Sequence, residues 1–275
     1  MANYGAQIFN NAISSLAAQQ AVIANTSSNI TNVNTEGYAR RSLHLQTRVS
    51  YGKGSGFSVG NGVEIGELAR VSDTFLNGVV RDATSDSEGY AIQQEFLKRV
   101  ESLFSLSGEQ NTIGSTLTDF YTAVDNLSAD PASIELRSEL VARAQDLTTT
   151  IKQTYDGLAN LQDEADQRLV NEVSIVNNLT AQIAQLNGLI SGREGNGNVA
   201  ADERDKRDLL LQSLAEKIGF EMVEASDGSV MISLASGFPL VSGPNSRNLE
   251  FTNTLPPAPP HATFTLRWGF KSHSL

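Results

Sequence analysis

The sequence predicts a mainly α chain with a small β part (α+β): an elongated long-helix bundle or coiled coil, opened by an N-terminal assembly helix, with a short β-hairpin region after residue 219. Three observations lead there. Apolar residues alternate at spacings of four and three near the N-terminus and again through a long central stretch, which is the signature of helices with one buried seam. Between residues 42 and 70 glycines divide the chain into short alternating runs, which read as strands and turns. After Gly219, the runs FEMVEA and VMISLA flank Asp227-Gly228, a hairpin turn pair.

The first element is unusual in its chemistry. From Met1 to Thr35 there is no Asp, Glu, Lys, Arg or His, although the 275-residue chain has 31 acidic and 20 basic residues and a formal net charge of -11. Phe9, Ile13, Leu16, Gln20, Ile23, Ser27 and Ile30 form a heptad seam with two polar interruptions, flanked by Ala17, Ala21 and Ala24. A helix over residues 3–30 would be about 40 Å long and marginal by itself, so residues 1–35 are expected to be partly disordered in solution unless another helix covers the seam. Solvent-facing helices usually carry charged pairs four residues apart. Their absence fits either a core helix or an assembly helix stacked on copies of itself, where repeated like charges would repel.

The helix is expected to fray across Asn25 to Asn34, where Asn, Ser and Thr side chains compete for the backbone. Glu36-Gly37 supplies a turn, and Tyr38 gives the next segment an amphipathic anchor. Arg40 and Arg41 either pair with an acidic neighbour or stay solvated.

The pattern divides the chain into five regions: a helix and turn over 1–45, an extended Gly-rich connector over 46–87, an elongated helical domain over 88–218, a small β region over 219–253, and a Pro-rich tail over 254–275, expected to be disordered or non-native. In the helical domain the core faces are Tyr90, Phe96, Val100, Leu103 and Phe104, then Ile113, Leu117, Phe120, Val124 and Leu127. Asp130-Pro131 reads as a helix start, with Asp as the N-cap. The seam Leu158, Gln162, Ala165, Leu169, Glu172, Val176, Leu179, Ile183, Leu186 and Ile190 then predicts one helix over 131–190, about 90 Å long, which Gly157 could interrupt.

Several functions are excluded by composition. The acidic balance does not suit a surface that neutralises nucleic-acid phosphates, and no apolar run reaches the length of a membrane span. With no cysteine there are no disulfides or thiolate metal sites. GSGFSVG (54–60) has its third glycine one residue late for a dinucleotide loop, and GREGNGN (192–198) lacks the ending of a phosphate loop, so no cofactor is expected. Asp202, Asp205 and Asp208 invite a metal, but the interleaved Arg204 and Arg207 favour surface ion pairs. No nucleophile and base constellation points to an enzyme.

The helix NAISSLAAQQAVIANTSSNI and the adjoining NVNTEGYARR resemble the axial proteins of the bacterial flagellum, the family of rod, hook and hook-associated proteins. GYARRS, GNGVEIGELARVSDTFLNGVVRDATSDS (60–87) and DKRDLLLQSLAEKIGFEMVEASDGSVMISLASGFPLV (205–241) are similar to the hook-associated members, and the likeness covers most of residues 5–245. This resemblance implies a structural subunit at the junction between hook and filament, self-assembling through coiled-coil terminal helices. A hook or rod subunit and a freestanding coiled-coil module are the alternatives. The implied partners are like subunits, the flagellar hook protein, the next hook-associated junction protein and an export chaperone. The implied location is the extracellular flagellum, reached through the flagellar type III apparatus. Phe9, Ile13, Leu16, Gln20, Ile23 and Ile30 would form the assembly interface, and Asn29, Asn32, Asn34, Gly37 and Tyr38 the turn at its end. The family pattern also leads one to expect a long C-terminal heptad helix beyond Leu275.

Overall fold

The computed structural model describes residues 4–48, 60–104, 112–252 and 265–266. In chain order these form helix α1 (Tyr4–Thr31), strands β1 (Arg41–Thr47) and β2 (Val63–Arg70), and helices α2 (Thr74–Phe104), α3 (Ile113–Ala129), α4 (Ile134–Glu194) and α5 (Ala201–Ala215). Six short strands complete the order: β3 (Glu221–Glu224), β4 (Val230–Ser233), β5 (Pro239–Ser242), β6 (Asn245–Ser246), β7 (Phe251–Thr252) and β8 (Thr265–Leu266). The fold is mainly α with small antiparallel sheets. The expectation for the 254–275 tail lies outside the described residues, apart from Thr265 and Leu266, which pair with Thr252 and Phe251.

The described residues fall into two compact units, one drawn from Met1–Thr84 and Val176–Asn248, the other from Ser85–Ile175 and Leu249–Gly269. In the first, β1 and β2 pair antiparallel from Arg41↔Arg70 to Thr47↔Val63 with an irregularity between Leu43 and Leu45. Helix α1 lies on this hairpin through a polar face. Asn11 Nδ2 donates to the Gly60 carbonyl at 2.7 Å, and Ser14 Oγ accepts from the Val63 N–H at 3.3 Å. Ala18, 2% exposed, lies on the same face. These tethers, with two more near the end of the helix, keep α1 formed where an isolated helix would be marginal.

The rest of the first unit has the apolar core. Ile183 and Ile190 of α4, Leu211 and Leu214 of α5, and Val230, Ile232, Leu240 and Val241 of the sheet are all fully buried. Each such side chain contributes about 1.5–3 kcal/mol by leaving water. The expected hairpin forms as β3 and β4, with Gly228 at φ +78° and Asp227 Oδ1 accepting from both the N–H and the hydroxyl of Ser229. The sheet continues beyond it in the order β3-β4-β5-β6. Asn187, buried on α4, works as a strand edge: its Nδ2 donates to the Val230 and Gly243 carbonyls at 2.8 and 2.9 Å, and its Oδ1 accepts from the Val230 N–H at 3.1 Å.

In the second unit α2 and α4 run antiparallel, shown by crossed ion pairs. Arg99 pairs with Glu164, Arg168 with Glu95, and both guanidinium groups lie within 6 Å of the Phe96 ring centre, at 5.7 and 5.8 Å. Gly157 does not interrupt α4. A Cβ there would sit 2.7 Å from Leu103 Cδ2, so the missing side chain lets α2 approach.

Several boundaries and faces differ from expectation. Helix α2 begins at Thr74, inside the stretch expected to be extended, because Asp73 Oδ1 accepts from the Leu76 N–H at 3.0 Å as an N-cap. Asp130 is the C-cap of α3 and Asp130-Pro131 forms a turn. Ser133 caps α4 instead, its Oγ accepting from the Leu136 N–H at 3.3 Å. In α3 the buried positions are Thr116 and Ala123, while Leu117 and Val124 are exposed. Tyr90 and Phe104 of α2 are exposed too, with Phe96, Val100 and Leu103 half-buried. In α4, Leu161 is buried and its neighbour Gln162 is exposed. In α4 a strict heptad count drifts about 20° per repeat around a straight helix, so over the four repeats between Ile190, which is buried, and Gln162 it slips by most of one residue position.

Candidate functional site: the exposed seam of α1 and its anchor

Helix α1 has two faces of opposite character. The face turned to β1 and β2 carries Asn11, Ser14, Ala18, Ala21, Asn25 and Asn29, none of them exposed. The opposite face carries the predicted seam, all of it in solvent: Phe9 is 67% exposed, Leu16 62% and Ile30 69%, and Ile13, Gln20 and Ile23 are exposed likewise. Ordinary amphipathic helices bury the apolar stripe and expose the polar one. Here the arrangement is reversed. On the polar face Asn11, Ser14, Asn25 and Asn29 each hydrogen-bond to backbone of the hairpin strands or the segment between them, while the apolar face is exposed.

The far end of α1 is pinned at Arg41. Asn29 Nδ2 donates to the Arg41 carbonyl at 2.9 Å, its Oδ1 accepts from the Arg41 N–H at 3.0 Å, and Asn25 Nδ2 donates to the same carbonyl at 3.0 Å. The Tyr38 hydroxyl donates to Asn29 Oδ1 at 3.0 Å and lies 3.4 Å from Ser28 Oγ. Asn32 Nδ2 donates back to the Ser28 carbonyl at 2.9 Å, and its Oδ1 accepts from Thr35 Oγ1 at 3.2 Å. Gly37 has φ +75°, and a Cβ there would overlap the Leu209 side chain of α5. Of the predicted turn residues, Asn29, Asn32, Gly37 and Tyr38 thus form one cluster, and Asn34 is exposed beside it.

Charge holds this cluster to α5. The Arg41 guanidinium lies 4.9 Å from the Tyr38 ring centre and pairs with Asp202 and, at 3.3 Å, Asp205. Arg70, the register partner of Arg41, pairs with Asp205 and Asp208, each at 2.7 Å. The three aspartates share one side of α5 by their three-residue spacing and meet the two arginines at the end of the hairpin. Burial pulls the Arg41 pKa down, but its hydrogen bonds to Asp202 and Asp205 and the charge of Asp202 outweigh it, and the value rises.

The interleaved arginines have other partners. Arg204 binds Glu194 and Glu224, each at 2.7 Å, and its hydrogen bond to Glu194 is the main reason its pKa is raised. Arg207 is buried, donating to Asn187 Oδ1 at 3.0 Å and to the Gly228 carbonyl at 2.6 Å; burial, with repulsion from Arg204, lowers its pKa. Sequence reasoning missed Asn25, Arg41 as the anchor, and Asn187. Asn25 and Asn29 are one helical turn apart, and that i,i+4 repeat of an uncommon mid-helix residue was the available signal.

No helix among the described residues is long and apolar enough to cross a membrane. The family model of the flagellar hook-associated protein FlgK helical domain matches residues 97–274. Flagellar hook-associated protein 1 of Salmonella typhimurium is 30% identical over 244 residues, 88% of this chain and 44% of the relative. Its counterpart in Bacillus subtilis is 25% identical over 228 residues, 81% of this chain and 45% of the relative. The solved flagellar hook junction protein FlgK from Burkholderia pseudomallei has a similar fold, with TM-score 0.54 and 24% identity over 66% of this chain and 31% of that one. The helical architecture and these likenesses agree on one class, the flagellar hook-associated proteins. The chain belongs to the flagellar hook-associated protein FlgK family. It spans about 44% of the length of the Salmonella relative.

Proposed function

We propose that this chain is a structural subunit of the junction between flagellar hook and filament, and that it assembles through the α1 seam. The observation that carries the reading is that Phe9, Ile13, Leu16, Ile23 and Ile30 all stand in solvent on a charge-free helix whose other face is fixed to its own hairpin. A helix anchored that way presents its apolar residues ready-ordered, so little conformational entropy is lost on contact. Its partners are like subunits, the flagellar hook protein and the next junction protein, after delivery by an export chaperone to the extracellular flagellum. The role is mechanical, without catalysis. Asn29, Asn32, Asn34, Gly37 and Tyr38 form the turn that sets the direction of α1.

The test is Leu16→Glu. Placing a carboxylate in the seam should block incorporation and motility while the α-helical signal of the purified chain stays unchanged. Normal motility with this substitution would refute the reading.

A further inference from the structure

Helix α2 has no fully buried residue, so apolar packing gives it little to fix its position along α4. Charge supplies that position. Arg99 Nη1 donates to Glu164 Oε1 at 2.6 Å, the Arg168 and Glu95 pair closes at 3.0 Å, and the Phe96 ring lies beside both guanidinium groups. Glu95 and Arg99 are one turn apart on α2, and Glu164 and Arg168 one turn apart on α4, so the four charges form a ring of alternating sign.

These side chains are between 38% and 53% exposed, and ion pairs at that exposure add little stability. What they carry is discrimination between registers, as charges do at the flanks of coiled coils. The nearest competing registers lie one helical turn away, about 5.4 Å, and bring each α2 side chain to the α4 position four residues along. Displaced toward the start of α4, Glu95 meets Glu164 and Arg99 meets Asn160. Displaced toward its end, Glu95 meets Glu172 and Arg99 meets Arg168. Each slip breaks both ion pairs and creates at least one like-charge contact. Gly157 selects the same register, because slipping would move Leu103 from the space above it onto the side chain of Gln153 or of Leu161.

We propose that the ring of Glu95, Arg99, Glu164 and Arg168 is a register lock, which holds α2 and α4 against sliding past each other by a turn. Such sliding is one of the ways packed helices switch. The inference concerns α2 and α4 alone and does not depend on how α1 assembles.

The test exchanges charges, which separates pairing from register. Arg99→Glu with Glu164→Arg keeps both cross-helix pairs, yet a slip toward the start of α4 now sets Glu95 against the new guanidinium at position 164 without a like-charge contact. Glu95→Arg with Arg168→Glu also keeps both pairs, and a slip toward the end of α4 gains two attractive contacts, at positions 172 and 168. All four reversals together restore a like-charge contact in each direction. Every full-length protein carries Leu103→Ala, so that charge alone reads the register. Spin labels on Gln94→Cys and Lys152→Cys, both exposed sites in a chain without cysteine, report the axial offset. The native charges and the fourfold reversal should each give one inter-label distance. The first exchange should add a second distance about 5 Å shorter, and the second exchange one about 5 Å longer. If one exchange unfolds, seen as loss of helical signal, the other decides. Exchanges that keep the single distance, native charges that already give two, or a slipped population in the fourfold reversal would each overturn the inference.

Discussion

The amide of Asn29 holds the backbone of Arg41 as a neighbouring strand would, donating to its carbonyl at 2.9 Å and accepting from its N–H at 3.0 Å. A helix side chain thus closes the first residue of a hairpin, and the guanidinium of that residue carries the link on to Asp202 and Asp205 of α5. This position fixes the far end of α1, while Asn11 and Ser14 fix it nearer the start.

Asn29→Ala removes both bonds and the acceptor for the Tyr38 hydroxyl. It should destabilise the first unit by about 1–3 kcal/mol, the range for leaving part-buried polar groups without partners. Denaturant unfolding measures the loss, and amide exchange at Arg41 should quicken more than exchange in the β3–β4 hairpin. Equal change at both places would mean that Asn29 does not act locally.

Gly37→Ala faces two separate obstacles, the positive φ and the Leu209 side chain. The cost should be about 1–2 kcal/mol from the backbone alone, with more from the overlap. Adding Leu209→Ala should recover the steric part and leave the backbone part. A double variant no better than Gly37→Ala would show that the overlap is absorbed elsewhere.

The Glu194 carboxyl is held below its ordinary value near 4.5, chiefly by its hydrogen bond from Arg204. A depressed carboxylate stabilises the fold above its unfolded pKa and loses that contribution as pH falls through the folded value. Glu194→Gln should therefore lower stability at pH 7 and flatten its decline below about pH 4.5. Melting temperature against pH gives the comparison, and parallel curves for the two proteins would contradict the assignment.

Asn187→Leu should be the most damaging of the four. It strands the Val230 N–H, the Val230 and Gly243 carbonyls and one Arg207 contact in a buried site. The loss should exceed about 2 kcal/mol, since each uncompensated buried group costs about 1–3 kcal/mol. Near-wild-type stability would mean that the sheet does not depend on the helix for its edge.

The sequence carried the elements whose signal is local. The run Phe9, Ile13, Leu16, Ile23, Ile30 marks α1, the alternating runs around Gly66 mark the hairpin strands, and Asp227-Gly228 marks the turn between β3 and β4. Helix starts were less legible. Asp130-Pro131 has the residue types of a cap, but whether a given Asp or Ser caps depends on where the chain has just come from, and here it leaves α3 at Asp130. Gly157 read as a break because propensity counts only the cost of glycine, and the approach of Leu103 that compensates for it lies far away in sequence.

By itself the sequence determined that this chain has a charge-free apolar helix, long helical seams and a small sheet, since periodicity and residue type act over a few turns of chain. Only the tertiary structure decided which face of α1 is used inside the molecule: the asparagine and serine side chains find backbone partners on the hairpin, so the apolar side is the one left in solvent. It likewise decided that the aspartates of α5 answer to Arg41 and Arg70 and not to the arginines between them, because residues one or two apart on a helix point to different sides while strand ends distant in sequence converge.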